Sequence, residues 1–152
     1  MKTTIIAGAV VALVTGMAIG AQSTITSRVG GIIGDVRTGL LTNFLGGLIA
    51  GLLVLIVLFR DGTESWRMPG MVLGFIGLSG LLGIFIITGL SFSLQRAGVA
   101  AGLATVILGQ LALSTLVDTF GVGGAETIPL SFERVLGLLI TALGVFLLLP
   151  RN

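Results

Sequence analysis

Residues 97–121 read AGVAAGLATVILGQLALSTLVDTFG, and the 21 positions between Arg96 and Asp118 carry no charge. At about 1.5 Å per residue such a run crosses the roughly 30 Å hydrocarbon core of a bilayer, so the stretch predicts a transmembrane helix. With successive side chains about 100° apart, Gly98, Gly102, Thr105, Gly109 and Ala112 share one narrow arc. That seam of small residues lets another helix approach the backbone closely. Away from it, Gln110, Ser114 and Asp118 follow at i, i+4 and i+8 and form a polar ridge running from mid-span to one surface. In lipid such a ridge must meet protein, water or a solute. Gln110 is then either interhelical glue, a hydrogen bond of about 0.6 kcal/mol, or part of the wall of a solute path. Both alternatives place it inside a bundle.

Composition extends this reading to the whole chain. Hydrophobic residues make up 55% of the 152 positions and charged ones 9%, with a mean hydropathy of +1.19. These values define an all-α integral membrane protein rather than a soluble domain. The 25 glycines then mark close helix packing. Without cysteine or histidine there is no disulfide, thiol nucleophile or imidazole base, and no expected metal site or cofactor. Enzyme function is not expected. The net charge of +2 comes from eight basic residues scattered singly between apolar runs. They form no patch for nucleic acid.

Charge-free runs divide the chain into five expected helices, at about 3–27, 37–60, 68–91, 97–119 and 131–150, in one transmembrane domain over 1–152. The first run resembles a secretory signal in outline, but Gly8, Ala12, Gly16 and Gly20 form an i+4 row suited to a permanent packed helix. Beyond Gly20 it turns polar with Gln22, Ser23, Thr24, Thr26 and Ser27 before Arg28. That end is expected to be wet or to line a cavity. The second helix aligns Gly39, Asn43, Gly46 and Ala50 on one face, with Asn43 as an interhelical hydrogen bond or a solute contact. A polar turn, RDGTESWR at 60–67, follows, with Trp66 as an interface anchor. The connection at 119–130 holds Gly121, Gly123, Gly124 and Pro129 and reads as a loop. Asp118 and Arg134 flank it on one membrane side, as a salt bridge or a gate. Ser131 is placed to cap the fifth helix, whose small face is Gly137, Thr141 and Gly144.

Orientation is set by the excess of Lys and Arg on the cytoplasmic side. One side holds Lys2, Arg60, Arg67 and Arg134, the other Arg28, Arg37, Arg96 and Arg151, so the bias is zero. Five spans put the termini on opposite faces. A chain indifferent to its orientation inserts both ways, and two opposed copies pair about a two-fold axis in the membrane plane. The expectation is a dual-topology, antiparallel homodimer of ten helices, its partners being lipid, a second inverted copy and a small-molecule substrate.

The order QSTITSRVG at 22–30, Gly109-Gln110, DTFG at 118–121, and Pro129-Leu130-Ser131 with Arg134 and Gly137 resembles the YdcZ-like branch of the drug/metabolite transporter superfamily. The resemblance implies a five-helix bacterial inner-membrane exporter occurring as dual-topology single chains, opposed pairs or fused forms. Thr26 departs from it, standing where the family pattern Q-x-x-x-N has Asn. No Asp or Glu lies inside any expected span, which argues against proton-coupled export by a membrane-embedded carboxylate. Gln110, Ser114, Gln22 and Asn43 are the candidate substrate contacts, suited to a neutral, zwitterionic or amphipathic solute. An anion held partly by Arg28 is a further possibility. Gly98, Gly102, Gly109, Gly137 and Gly144 are the candidate packing positions. A non-transporting scaffold or assembly subunit and a facilitative channel remain as alternatives.

Overall fold

A chain in lipid satisfies its backbone polar groups internally, and this one does so with helices. The computed structural model describes residues 2–121 and 126–151; Gly123 and Gly124 of the expected loop lie outside them. Five α-helices follow in order: α1 Lys2–Ile33, α2 Asp35–Asp61, α3 Gly70–Ala97, α4 Val99–Phe120 and α5 Phe132–Leu148. A 3-10 turn, Glu64–Trp66, sits between α2 and α3. Four of the helices are long and apolar enough to cross a membrane. At 17 residues, α5 is shorter.

The ends of the helices differ from the sequence expectation. Helix α1 runs past Arg28 to Ile33, α2 starts at Asp35 rather than 37, and α3 continues to Ala97. Single glycines therefore make two of the links. Gly34 has φ 88° and ψ 153°, and Gly98 has φ 80° and ψ 158°, a region that glycine enters freely and other residues scarcely at all. Gly34 loses no hydrogen bonding in the process. Its N–H donates to the Gly30 carbonyl at 2.9 Å, and its carbonyl accepts from the Thr38 N–H at 3.1 Å and the Thr38 hydroxyl at 2.9 Å. The Gly98 carbonyl likewise accepts from the Gly102 N–H at 2.9 Å. Gly98 thus belongs to a link and not to the helical seam expected for it.

Helix α4 ends on Gly121, whose left-handed conformation brings its N–H to the Val117 carbonyl. The returning chain donates the Ile128 N–H to the Asp118 carbonyl at 2.9 Å. Ser131 caps α5, its hydroxyl accepting from the Arg134 N–H at 3.4 Å.

The chain divides into two compact units, Met1–Gly20 with Ser93–Asn152, and Ala21–Phe92. In the second, α2 meets α3 at Gly39, where an added Cβ would fall on Thr88 Oγ1 and 2.9 Å from the Ile84 carbonyl oxygen. In the first, Gly102 receives Leu94, which is 2% exposed. An added Cβ at Gly102 would lie 2.9 Å from Leu94 Cδ1.

What is buried inverts the pattern of a soluble protein. Among the described residues the buried apolar set is Leu90, Leu94, Ala101 and Val145, matched by the polar set Ser23, Thr26, Thr38 and Ser91. Large side chains such as Phe59, Phe85 and Phe132 stand exposed. With lipid outside, an apolar exterior carries no penalty and helices associate through packing and hydrogen bonds instead.

Candidate functional site

Two polar constructions emerge, one in each unit. The first follows α2, where Asp35, Gly39 and Asn43 recur at four-residue spacing and meet α3. Ser91, fully buried, donates to Asp35 Oδ1 at 2.6 Å. One turn on, Gly39 makes the close approach to Thr88. A further turn on, Asn43 Nδ2 donates to the Gly39 carbonyl at 2.9 Å, while its Oδ1 lies 2.9 Å from where a Cβ on Gly83 would be. Beside this ladder a cavity of about 580 Å³ is lined by Leu40, Leu41, Asn43, Phe44, Gly80 and Ile84. Asn43 is the polar side chain in that apolar wall.

The second construction joins α4 to α5. Arg134 Nη2 donates to Asp118 Oδ2 at 2.9 Å, with the two side chains 30% and 37% exposed. The pair expected to flank the loop is therefore in contact. Its geometry is single-pronged, and the other terminal nitrogen, Nη1, is buried without a hydrogen-bond partner. Both residues line a cavity of about 360 Å³ with Leu111, Ser114, Gly137 and Leu138. Thr115 and Thr141 complete the wall, but their hydroxyls donate to the Leu111 and Gly137 carbonyls, each at 2.8 Å. Such i−4 bonds commit the hydroxyl proton within its own helix and leave the oxygen as an acceptor. Thr105, in the expected seam, is satisfied in the same way by Ala101 at 2.9 Å.

The remaining sequence candidates fall as follows. Ser114 reaches the second cavity, whereas Gln22, Arg28 and Gln110 are exposed and line neither. Gln110 makes no hydrogen bond among the described residues. Gly109, Gly137 and Gly144 have open space beside them within the chain, as do the glycines at 8, 16 and 20. Trp66 is half-buried in the 3-10 turn, where Arg67 Nη2 meets Glu64 Oε1 at 3.3 Å. Asp35, Thr38, Ser91, Ser23 and Thr26 are buried or half-buried polar residues that sequence reasoning did not select as contacts. Asp35 falls between the expected helices 3–27 and 37–60 but begins α2, and Ser23 lies one position from Gln22.

Among the described residues no group of three His, Cys, Asp or Glu side chains is placed to hold a metal ion. What the arrangement offers is hydrogen bonding and charge in apolar walls, the equipment of a binding site in a polytopic membrane protein. Residues 7–147 match the family described as "Putative inner membrane exporter, YdcZ", and the chain belongs to that family. It is accordingly a multi-pass protein of the bacterial inner membrane. No curated protein and no solved structure matches the chain.

Proposed function

We propose that this protein exports a small organic solute by alternating access at the interface of an antiparallel homodimer, each copy contributing five spans. The observation that carries the proposal is Gln110. Its amide lies mid-helix, exposed and without a partner among the described residues, beside a glycine that leaves room for a close neighbour. A polar group left unpaired in hydrocarbon costs several kcal/mol, so a partner is expected to cover it. In an inverted pair, a mid-span residue meets its symmetry mate near the bilayer centre, bringing two amides to one site. The balanced flanking charges support opposed insertion, and the open glycine rows support close approach of a second copy. The family's description supports export.

Reporters active on one side of the membrane, fused to the C-terminus, test the arrangement. Comparable activity from both sides is expected, and a single strongly favoured orientation removes the proposal. Gln110→Ala should abolish solute-induced stabilisation of the purified protein. Unchanged solute binding would make Gln110 packing glue.

A further inference from the structure

We propose that the cavity between α4 and α5 is a subsite for a free amphipathic zwitterion, a solute with amine and carboxylate on one carbon and an apolar body. Arg134 takes the acid and Asp118 the amine. This rests on the exporter function above and names its solute class.

The first support is the unused capacity of Arg134. A guanidinium carries five N–H donors in a fixed fork and keeps its charge at any relevant pH. Arg134 nevertheless meets Asp118 through Nη2 alone and leaves Nη1 buried and unpaired. A pair whose sole task is to tie two helix ends is best made bidentate, which the fork allows. A buried donor without an acceptor is a cost to the empty protein. A solute carboxylate that reaches Nη1, as the guanidinium turns about its bond to Asp118, removes that cost.

The second support is charge. Asp118 and Arg134 sum to zero, so a lone anion at the pair is opposed by the carboxylate and a lone cation by the guanidinium. A zwitterion satisfies both. The third is the layout of the walls. Asp118 is two residues from the end of α4 and Arg134 the third residue of α5, whereas Leu111 lies about two turns inward and Leu138 about one. Thr115 and Thr141 have already spent their hydroxyl protons on their own helices, and Gly137 has open space beside it. Apart from the Ser114 hydroxyl, the deeper wall therefore offers a solute no free side-chain donor, and the 360 Å³ volume suits a small molecule. A charged head sits at the helix ends with its apolar body inward.

The test uses full-length protein in phosphatidylglycerol nanodiscs, with thermal stability read against leucine, phenylalanine, leucinamide and 4-methylpentanoate. The two amino acids should raise the melting temperature, while leucinamide, which lacks the acid, and 4-methylpentanoate, which lacks the amine, should not. Arg134→Lys keeps a cation beside Asp118 but loses the fork, so amino-acid affinity should fall about tenfold, the worth of one charge-assisted hydrogen bond, with ligand-free stability nearly unchanged. No shift with either amino acid overturns the proposal, as does equal binding by Arg134→Lys. Stabilisation on exchanging phosphatidylglycerol for phosphatidylethanolamine, with none from the amino acids, assigns the subsite to a lipid headgroup and also overturns it. If the protein inserts in both orientations and Arg134→Lys still expels some other solute, the exporter function stands without this subsite. A single orientation with amino-acid binding intact has the reverse meaning.

Discussion

Gly39→Ala isolates the packing of α2 on α3. The new Cβ falls on Thr88 Oγ1 and 2.9 Å from the Ile84 carbonyl oxygen. Rotation of Thr88 relieves the first contact; the second is with helical backbone and yields only if the helices separate. Overpacking of this kind costs about 1–3 kcal/mol, and a backbone neighbour puts it in the upper part of that range. Alanine's better helix propensity returns up to about 1 kcal/mol. The net loss is about 1–2 kcal/mol, a fall in melting temperature of roughly 3–6 °C for a chain of this size. Nanodisc-embedded protein followed by intrinsic fluorescence, with helix content checked by circular dichroism, gives the measurement. Gly74→Ala, on α3 with nothing within 4 Å of the added Cβ, sets the baseline for propensity alone. Adding Thr88→Ala to Gly39→Ala should recover only part of the loss, because the Ile84 oxygen remains. If Gly39→Ala melts with wild type, α2 and α3 do not approach as described.

Gly34→Ala forces a Cβ into a backbone region closed to it and should cost about 1–3 kcal/mol by thermal melting, although nothing lies within 4 Å of the new atom. Ser91→Ala removes the 2.6 Å bond to Asp35 and should destabilise by about 1–2 kcal/mol, while Ser91→Thr should recover little because the site is fully buried. Asp118→Asn should cost no more than about 1 kcal/mol in denaturation, since the pair is partly exposed, with high salt lowering wild-type stability by a smaller amount still. Adding two lysines after Arg151 should bias insertion toward one orientation and lower solute efflux from vesicles; unaltered efflux with biased insertion would speak against opposed pairing.

The helices were legible because long charge-free runs have few alternatives, but their ends were not. Charges mark where the expected spans stop, yet Arg28 lies inside α1 and Arg37 inside α2, because helix is the cheapest way to keep backbone groups bonded at the membrane edge. The break falls instead at one of several nearby glycines, 30, 31 and 34, and nothing in their spelling says which takes a positive φ. The contact of Asp118 with Arg134 was readable because both flank one loop. That of Asp35 with Ser91 spans 56 positions and depends on how helices pack. Ser23 and Gln22 differ by one position, about 100° of rotation, enough to bury one and expose the other. Thr105 and Thr141, expected in small-residue faces, donate their hydroxyls to carbonyls of their own helices.

The join at Gly34 carries more than flexibility. Amide ladders arrive at it from Gly30 and leave it toward Thr38, so this residue's torsion is all that separates two crossings from a continuous rod of about 90 Å from Lys2 to Asp61. Were that torsion to relax to the α region, the number of traversals would change parity. Every downstream charge would then trade sides.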